Sequence, residues 1–179
     1  MALRVDQVGT RPEELATLQD RRYDFILGFV PSPSGKVGDD YHVEFLFDEQ
    51  LIVAAGMSTR WARRRKIDLA ELITEPWTLA GPGTWGYISI AEAFRARGLG
   101  MPNISVMSVS APLRIPLTAS GRFITALSKS VADLYGLKVL PVDLPTEPGR
   151  VAIITLKNRT LSPLVERFLA HLRDCTRRQ

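Results

Sequence analysis

The stretch with the greatest potential for chemistry is a glycine-rich turn between a short apolar run and a predicted helix. Residues 77–80 form the mostly apolar run, glycines follow at positions 81, 83 and 86, and the helix is predicted to reach about Arg97. A strand, turn and helix in this order point several backbone N–H groups at one place, and the helix dipole adds partial positive charge there. The sequence therefore predicts a cradle for an anion or a carboxylate.

The glycine spacing also fits the G-x-G-x-x-G pattern of dinucleotide-binding turns. Such folds supply an acidic residue about 20 positions further on, which holds the ribose hydroxyls. Here no Asp or Glu lies between Glu92 and Asp133, and Pro82 and Trp85 are bulky for a turn that approaches a pyrophosphate. A dinucleotide is therefore disfavoured.

Residues that usually perform catalysis or bind metals are few in this chain. His42 and His171 lie in no recognisable nucleophile motif. With the single Cys175 they do not have the spacing of metal ligands, and one cysteine cannot form an internal disulfide. The sequence predicts that the protein is not an enzyme and has no metal site and no cofactor.

Recognition of a small molecule remains. Trp85 and Tyr87 could form an apolar wall with a hydrogen-bonding tip, while the N–H groups of residues 84–87 and the hydroxyls of Thr84 and Thr10 could orient a carboxylate. A plain strand-to-helix turn with aromatic side chains in the core explains the same residues, so both interpretations stay open.

Composition sets the class of protein. The 179 residues are 45% hydrophobic and 23% charged, which is typical of a soluble globular protein with one domain or two small lobes. The net charge of +4 is too small to indicate nucleic-acid binding, and the basic run at residues 63–66 is interpreted as solvated surface rather than a phosphate site. No secretory signal or membrane-spanning run is present, so a cytoplasmic protein without membrane contact is expected.

Apolar periodicity predicts alternating strands and helices. A strand over residues 3–8, a helix over 13–20 entered through Thr10 and Pro12, and a strand over 23–28 would form a first β-α-β unit. A loop over residues 31–38 follows. Later strands are predicted over 43–47, 50–55, 77–79, 103–109, 123–127, 137–142 and 151–156, and helices over 69–74, 85–97, 112–121, 130–135 and from Ser162 onward. This order predicts an α/β protein with mostly parallel sheets.

Six short motifs occur in an order typical of one family. They are Leu15 with Leu18 before Tyr23–Gly28, Asp48–Val53, Ile67–Leu72 before Trp77, Val139–Pro141, Val151–Leu156, and Thr160–Pro163 before Phe168 and Leu169. Along almost the whole chain they resemble the effector-binding (substrate-binding) domain of LysR-type transcriptional regulators. The resemblance implies a type II periplasmic-binding-protein-like fold, in which two α/β lobes joined by two crossover strands close on a ligand.

The resemblance also implies boundaries, partners and a site. Lobe I would comprise residues 1–52 and 144–179, and lobe II residues 53–143. Family effectors are commonly small carboxylates or aromatic acids, and the full regulators are homo-oligomers, dimers or tetramers, that bind DNA. The expected ligand-binding residues are Thr10, Phe29, Thr84, Trp85, Gly86, Tyr87 and Ser110.

The chain also departs from the family pattern. No winged helix-turn-helix and no first strand-helix unit is recognisable, so we expect a fragment that binds DNA only through the missing N-terminal domain and completes lobe I by pairing with another chain or by rearranging. Arg60-Trp61 replaces a usual His-Pro, and Arg122 and Phe123 are large where the family has small residues. The alternative is a solute-binding protein of a transport system with the same fold.

Overall fold

The computed structural model describes residues 3–7, 10–30 and 37–177. The chain divides into two compact units. The second unit is Glu49–Pro148, and the first consists of the described residues up to Asp48 together with those from Gly149 onward. Most of the predicted loop, residues 31–36, lies outside the described residues.

The described residues form eight strands, five α-helices and two short 3-10 helices. The strands are β1 (Ile26–Val30), β2 (Tyr41–Glu49), β3 (Leu51–Ala55), β4 (Trp77–Leu79), β5 (Ile104–Met107), β6 (Ile124–Ser128), β7 (Lys138–Val139) and β8 (Gly149–Leu156). The α-helices are α1 (Pro12–Gln19), α2 (Trp85–Ala96), α3 (Ala111–Ala119), α4 (Lys129–Leu134) and α5 (Pro163–Thr176), and the 3-10 helices are Arg60–Arg63 and Leu69–Leu72.

The first unit contains a three-stranded sheet with the order β1-β8-β2, in which β1 and β8 are antiparallel. Helix α1 buries Leu15 and Leu18 against Ile26, Val30 and Ile154 of this sheet. The helix predicted from residue 13, with its two leucines directed inward, is therefore confirmed.

The strand predicted over residues 3–8 is not formed. Residues 3–7 adopt no regular structure, and Leu3 and Val5 are 62% and 79% exposed, while Val8 lies outside the described residues. An extended segment becomes a strand only when a neighbour pairs with its backbone N–H and C=O groups. No described strand pairs with residues 3–7, so the predicted β-α-β unit was wrong despite the alternating sequence.

The second unit contains a five-stranded sheet with the order β5-β4-β6-β3-β7. Strand β4 is parallel to β5 and β6, whereas β3 is antiparallel to β6 and β7. Helices α2 and α3 connect β4, β5 and β6, and such crossovers produce parallel neighbours. Strand β3 instead follows β2 after a single residue, Gln50, without a crossover helix. The five-stranded sheet is therefore mixed: the α/β class expected from the sequence holds, although this sheet is not mostly parallel.

One face of this sheet packs against α2 through the largest hydrophobic core that the described residues form. Trp77 of β4 and Phe94 of α2 are fully buried, with ring centroids 5.9 Å apart in an edge-to-face arrangement. The indole N–H of Trp77 donates to the carbonyl of Leu72 at 2.8 Å. Asp68 caps the 3-10 helix before this strand by accepting from the N–H of Ala70 at 2.9 Å.

Helix α5 begins as predicted but buries less than its apolar pattern indicates. The hydroxyl of Ser162 accepts from the N–H of Val165 at 3.3 Å, and Pro163 occupies the first turn. Leu169 is buried, whereas Leu164 and Phe168 are 44% and 37% exposed. The helix is also held by Arg173, whose guanidinium donates to both carboxylate oxygens of Glu44.

Candidate ligand-binding site

The carboxyl ends of three parallel strands lie at one edge of the five-stranded sheet. We call it the carboxyl edge, and it is marked by Leu79 of β4, Met107 of β5 and Ser128 of β6. The chain leaves β4 through α2 toward β5, whereas it leaves the adjacent β6 through α4 toward β7 on the other side. Ligands of open α/β sheets bind where neighbouring connections diverge in this way. The carboxyl ends of β4 and β6 are therefore the candidate site.

The predicted glycine turn joins β4 to α2 at this edge. Gly83 has φ +83°, a left-handed conformation that favours glycine. The Thr84 hydroxyl donates to the carbonyl of Gly81 at 2.7 Å, so it closes the turn and does not cap the helix. Helix α2 has no side-chain cap. Its first-turn N–H groups, including those of Gly86 and Tyr87, are therefore not occupied by a capping side chain.

Trp85 and Tyr87 are half-buried beside the turn. Trp85 packs against the core shared by β4 and α2, which agrees with the interpretation of this side chain as partly a core aromatic. A Cβ atom at Gly86 would lie 3.8 Å from Cδ1 of Leu51 and 3.9 Å from the carbonyl oxygen of Ala126. These are ordinary contact distances, so the start of α2 lies directly against β3 and β6.

Helix α3 also begins at the carboxyl edge. Its N-cap residue is Ser110, which is half-buried and makes no side-chain capping bond. The N–H of Ser110 donates to the hydroxyl of Ser108 at 3.2 Å. The first turns of α2 and α3, after Thr84 and Ser110, therefore both place backbone N–H groups at the same edge of the second unit.

Arg114, which the sequence-based predictions missed, lies in α3 one turn after Ser110. It is only 8% exposed. Its Nη1 donates to the hydroxyl of Thr125 at 3.1 Å and to the carbonyl of Ala126 at 3.3 Å. Burial lowers the pKa of the Arg114 guanidinium because the charged form loses hydration. No short pattern in α3 signals this burial, because Arg114 lies between the exposed Leu113 and the buried Ile115 in the sequence.

Arg114 belongs to a buried polar layer between α3 and the sheet, which also contains Thr118, Thr125 and Thr78. The side chains of Trp77 and Leu79 face the α2 core, so Thr78 between them faces the opposite side, where α3 packs. Thr78 and Thr125 are register partners, and the Thr125 hydroxyl donates to the carbonyl of Thr78 at 2.7 Å. The Thr118 hydroxyl donates to the carbonyl of Arg114 at 3.0 Å.

The two predicted residues of the first unit are in contact with each other. The Thr10 hydroxyl donates to the carbonyl of Phe29 at 2.6 Å. The expectation that Thr10 caps α1 was wrong, because the N-cap is Arg11, whose N–H donates to the Glu14 carboxylate at 2.9 Å. The hydroxyl points to the backbone of β1 instead, and the methyl group of Thr10 lies against Gly28.

Two cavities of the second unit lie away from Arg114. One of about 260 Å³ lies at the carboxyl edge beside β3 and β7, where Leu51, Lys129 and Thr146 are among its lining residues. Another of about 300 Å³ lies where β4 and β6 begin, and its lining includes Trp61, Arg122 and Phe123. The large residues at positions 122 and 123 therefore border a different cavity from the candidate site.

Other features of the sequence have simple outcomes. The basic run at residues 63–66 is exposed, and Arg64 pairs with Glu71 at 3.0 Å, which confirms the interpretation as solvated surface. Within residues 3–7, 10–30 and 37–177 there is neither a helix long and apolar enough to cross a membrane nor a cluster of side chains able to hold a metal ion.

Comparison with known proteins agrees with this architecture. A family model described as LysR substrate binding domain matches residues 3–176. The effector binding domain of QuiR in complex with shikimate superposes with a TM-score of 0.74 at 17% identity, over 96% of this chain and 80% of that chain. The regulatory domain of CcmR from Synechocystis PCC6803 in complex with 2-PG gives 0.71 at 20% identity, over 89% and 76%.

HinK from Pseudomonas aeruginosa, a LysR family transcriptional regulator, superposes with a TM-score of 0.63 at 22% identity, over 92% of this chain and 57% of that chain. No curated protein matches the sequence significantly. The structural similarity, together with the family match, confirms the predicted α/β fold of the type II periplasmic-binding-protein kind.

Proposed function

Because the chain belongs to the family of LysR substrate-binding domains, we propose that it senses a small-molecule effector for a LysR-type transcriptional regulator. Binding of this effector would control the DNA binding and transcriptional activity of the full regulator. The DNA contacts would belong to an N-terminal domain outside this chain, and the regulator would be a cytoplasmic homo-oligomer.

The observation that carries this proposal is the arrangement at the carboxyl edge of the second unit. Helices α2 and α3 both begin there without a capping side chain, at the point where the connections after β4 and β6 diverge. Helix N-termini favour negative charge. We therefore propose a small carboxylate or aromatic acid as the ligand, and the complexes of QuiR with shikimate and CcmR with 2-PG support a small-molecule ligand.

In the proposed complex the N–H groups at the start of α2 and the hydroxyl of Ser110 bind the acidic group of the ligand. Trp85 and Tyr87 cover its apolar part. Thr10 and Phe29 contribute from lobe I, with the lobe boundaries expected from the resemblance. The proposed ligand-binding residues are therefore Thr10, Phe29, Thr84, Trp85, Gly86, Tyr87 and Ser110.

A thermal-shift screen with benzoate, succinate, shikimate and a wider metabolite panel tests the proposal. A ligand present at about 100 times its Kd stabilises the folded state by about 2.7 kcal/mol, which is readily detected. Ser110→Ala should weaken binding without destabilising the free protein, because this hydroxyl makes no capping bond.

The matched control is Ser120→Ala at the other end of the same helix, where the hydroxyl donates to the carbonyl of Leu117 at 2.6 Å. This variant should bind the ligand normally. If no member of a broad metabolite panel stabilises the protein, the sensing function is wrong. If Ser110→Ala binds as tightly as the unmodified protein, the assignment of Ser110 is wrong.

A further inference from the structure

Arg114 carries a buried charge without a counter-charge. Both acceptors of its Nη1 are neutral, the Thr125 hydroxyl and the Ala126 carbonyl, and no carboxylate pairs with it among the described residues. Arginines that lose their hydration inside proteins are normally paired with an anion, because the isolated charge is costly to bury. The buried position of this guanidinium is therefore not explained by its contacts within the chain.

Two further polar atoms of the same layer are unsatisfied. Arg114 Nε and Thr78 Oγ1 are both enclosed and have no hydrogen-bond partner among residues 3–7, 10–30 and 37–177. Thr78 and Thr125 are opposite each other in the register of β4 and β6, and Thr125 accepts from Arg114. The unsatisfied donors thus belong to the same buried layer, where α3 packs on β4 and β6. Buried polar groups are paired in the great majority of cases, so the grouping indicates a site for acceptor atoms.

The Arg114 side chain is not completely enclosed, since 8% of the residue stays exposed. Nη2 forms no hydrogen bond with any residue that the structure describes, yet unlike Nε it is not among the enclosed unsatisfied atoms. The side chain of a helical residue leans toward the N-terminus of its helix, which directs Arg114 toward Ser110 and the carboxyl edge. An anion that approaches this edge can therefore meet Nη2 first.

The Ala126 carbonyl links Arg114 to the turn before α2. Its oxygen lies 3.3 Å from Nη1 of Arg114 and 3.9 Å from the position that a Cβ of Gly86 would occupy. The guanidinium and the start of α2 therefore both lie close to the same backbone carbonyl of β6.

We propose that Arg114 binds the anionic group of the effector, and that this group is a carboxylate or a similar oxyanion. This inference rests on the sensing function proposed above and adds the residue that selects an acid over a neutral analogue. Two oxygens of a carboxylate match the parallel donors of a guanidinium, and the low-dielectric surroundings strengthen the contact.

The test measures the Kd values of the acids that stabilise the unmodified protein, together with those of their amides, for Arg114→Met and Arg114→Lys. Loss of a charged hydrogen-bond partner should weaken acid binding roughly ten- to hundred-fold in Arg114→Met. Arg114→Lys keeps the charge but lacks the fork, so its loss should be smaller. Arg95→Met, which removes an exposed arginine from α2 of the same unit, should bind the acids normally.

A second measurement uses only the unmodified protein, so it does not depend on whether a variant folds. In NMR spectra of the unmodified protein, the Nε–H resonance assigned to Arg114 should shift on addition of the acid and remain unchanged with the amide. Equal acid binding by Arg114→Met and the unmodified protein would overturn the inference and leave the sensing function intact, as would an unchanged Nε–H resonance under saturating acid. Tight binding of a neutral metabolite by a protein that binds no acid would also overturn the inference and leave the sensing function intact.

Discussion

Replacing two neighbouring threonines by valine, one at a time, removes a hydroxyl group at each position. The two substitutions should change the free energy of unfolding in opposite directions. Thr78 and Thr125 are both fully buried and lie opposite each other in β4 and β6. The Thr78 hydroxyl has no partner in the described part of the chain, whereas the Thr125 hydroxyl donates to the Thr78 carbonyl at 2.7 Å and accepts from Arg114 at 3.1 Å. Valine has nearly the same shape as threonine, so each substitution isolates the hydroxyl.

The expected magnitudes follow from these partners. An unpaired buried hydroxyl costs about 1–3 kcal/mol, so Thr78→Val should stabilise the protein by about 1 kcal/mol and raise the Tm by about 2–4 °C. Thr125→Val loses two hydrogen bonds and leaves the Thr78 carbonyl and Arg114 Nη1 with fewer partners, so it should destabilise by about 2–3 kcal/mol.

Urea unfolding followed by tryptophan fluorescence measures both changes, because Trp77 is fully buried in the same strand as Thr78. The comparison must be made with no acid present, since a bound ligand would add its own stabilisation. If Thr78→Val destabilises the protein as much as Thr125→Val does, the Thr78 hydroxyl has a partner in solution and the account of the buried polar layer is refuted.

Three further predictions concern the first unit. A Cβ at Gly28 would lie 2.8 Å from Cγ2 of Thr10, so Gly28→Ala should destabilise by about 1–3 kcal/mol in urea unfolding, and adding Thr10→Ser should restore most of the loss. Ser162→Ala removes the α5 cap and should lower the unfolding free energy by about 1 kcal/mol, whereas a change within error would show that the cap is unimportant. Hydrogen bonds from Arg173 hold the pKa of Glu44 below its ordinary value; the pair therefore stabilises the protein above about pH 4.3 and loses this effect as the pH falls through the folded-state pKa. For this partly exposed pair the effect should be about 1 kcal/mol or less. When the unfolding free energy is measured against pH, the unmodified protein should show this loss and Glu44→Gln should not.

Short sequence patterns correctly predicted the structural elements that depend mainly on residues close together in the chain. The cap at Ser162, the glycine turn at Gly83 and the buried strand before it follow from short-range rules, and the structure contains all of them. The alternating residues 3–8 obey the same rules for a strand, yet residues 3–7 are irregular. Alternation describes which side chains share a face, whereas a strand also needs a partner, and the partner is a property of the sheet.

The glycine-rich turn shows what the sequence by itself determined. Its order of apolar run, glycines, Thr84 and helix is enough to predict N–H groups that favour an anion, because those groups belong to consecutive residues. The sequence also indicated the family and the α/β class. It left open whether the aromatic side chains beside the turn belong to the core or to a ligand.

Tertiary structure decided the position of the cation. In α3 the apolar Leu113 is 49% exposed while the charged Arg114 is 8% exposed, the reverse of what hydropathy predicts. The burial of Arg114 depends on which face of α3 meets the sheet and on the register that places Thr78 beside Thr125. Both are set by contacts between residues far apart in the chain, and no short pattern in α3 carries that information.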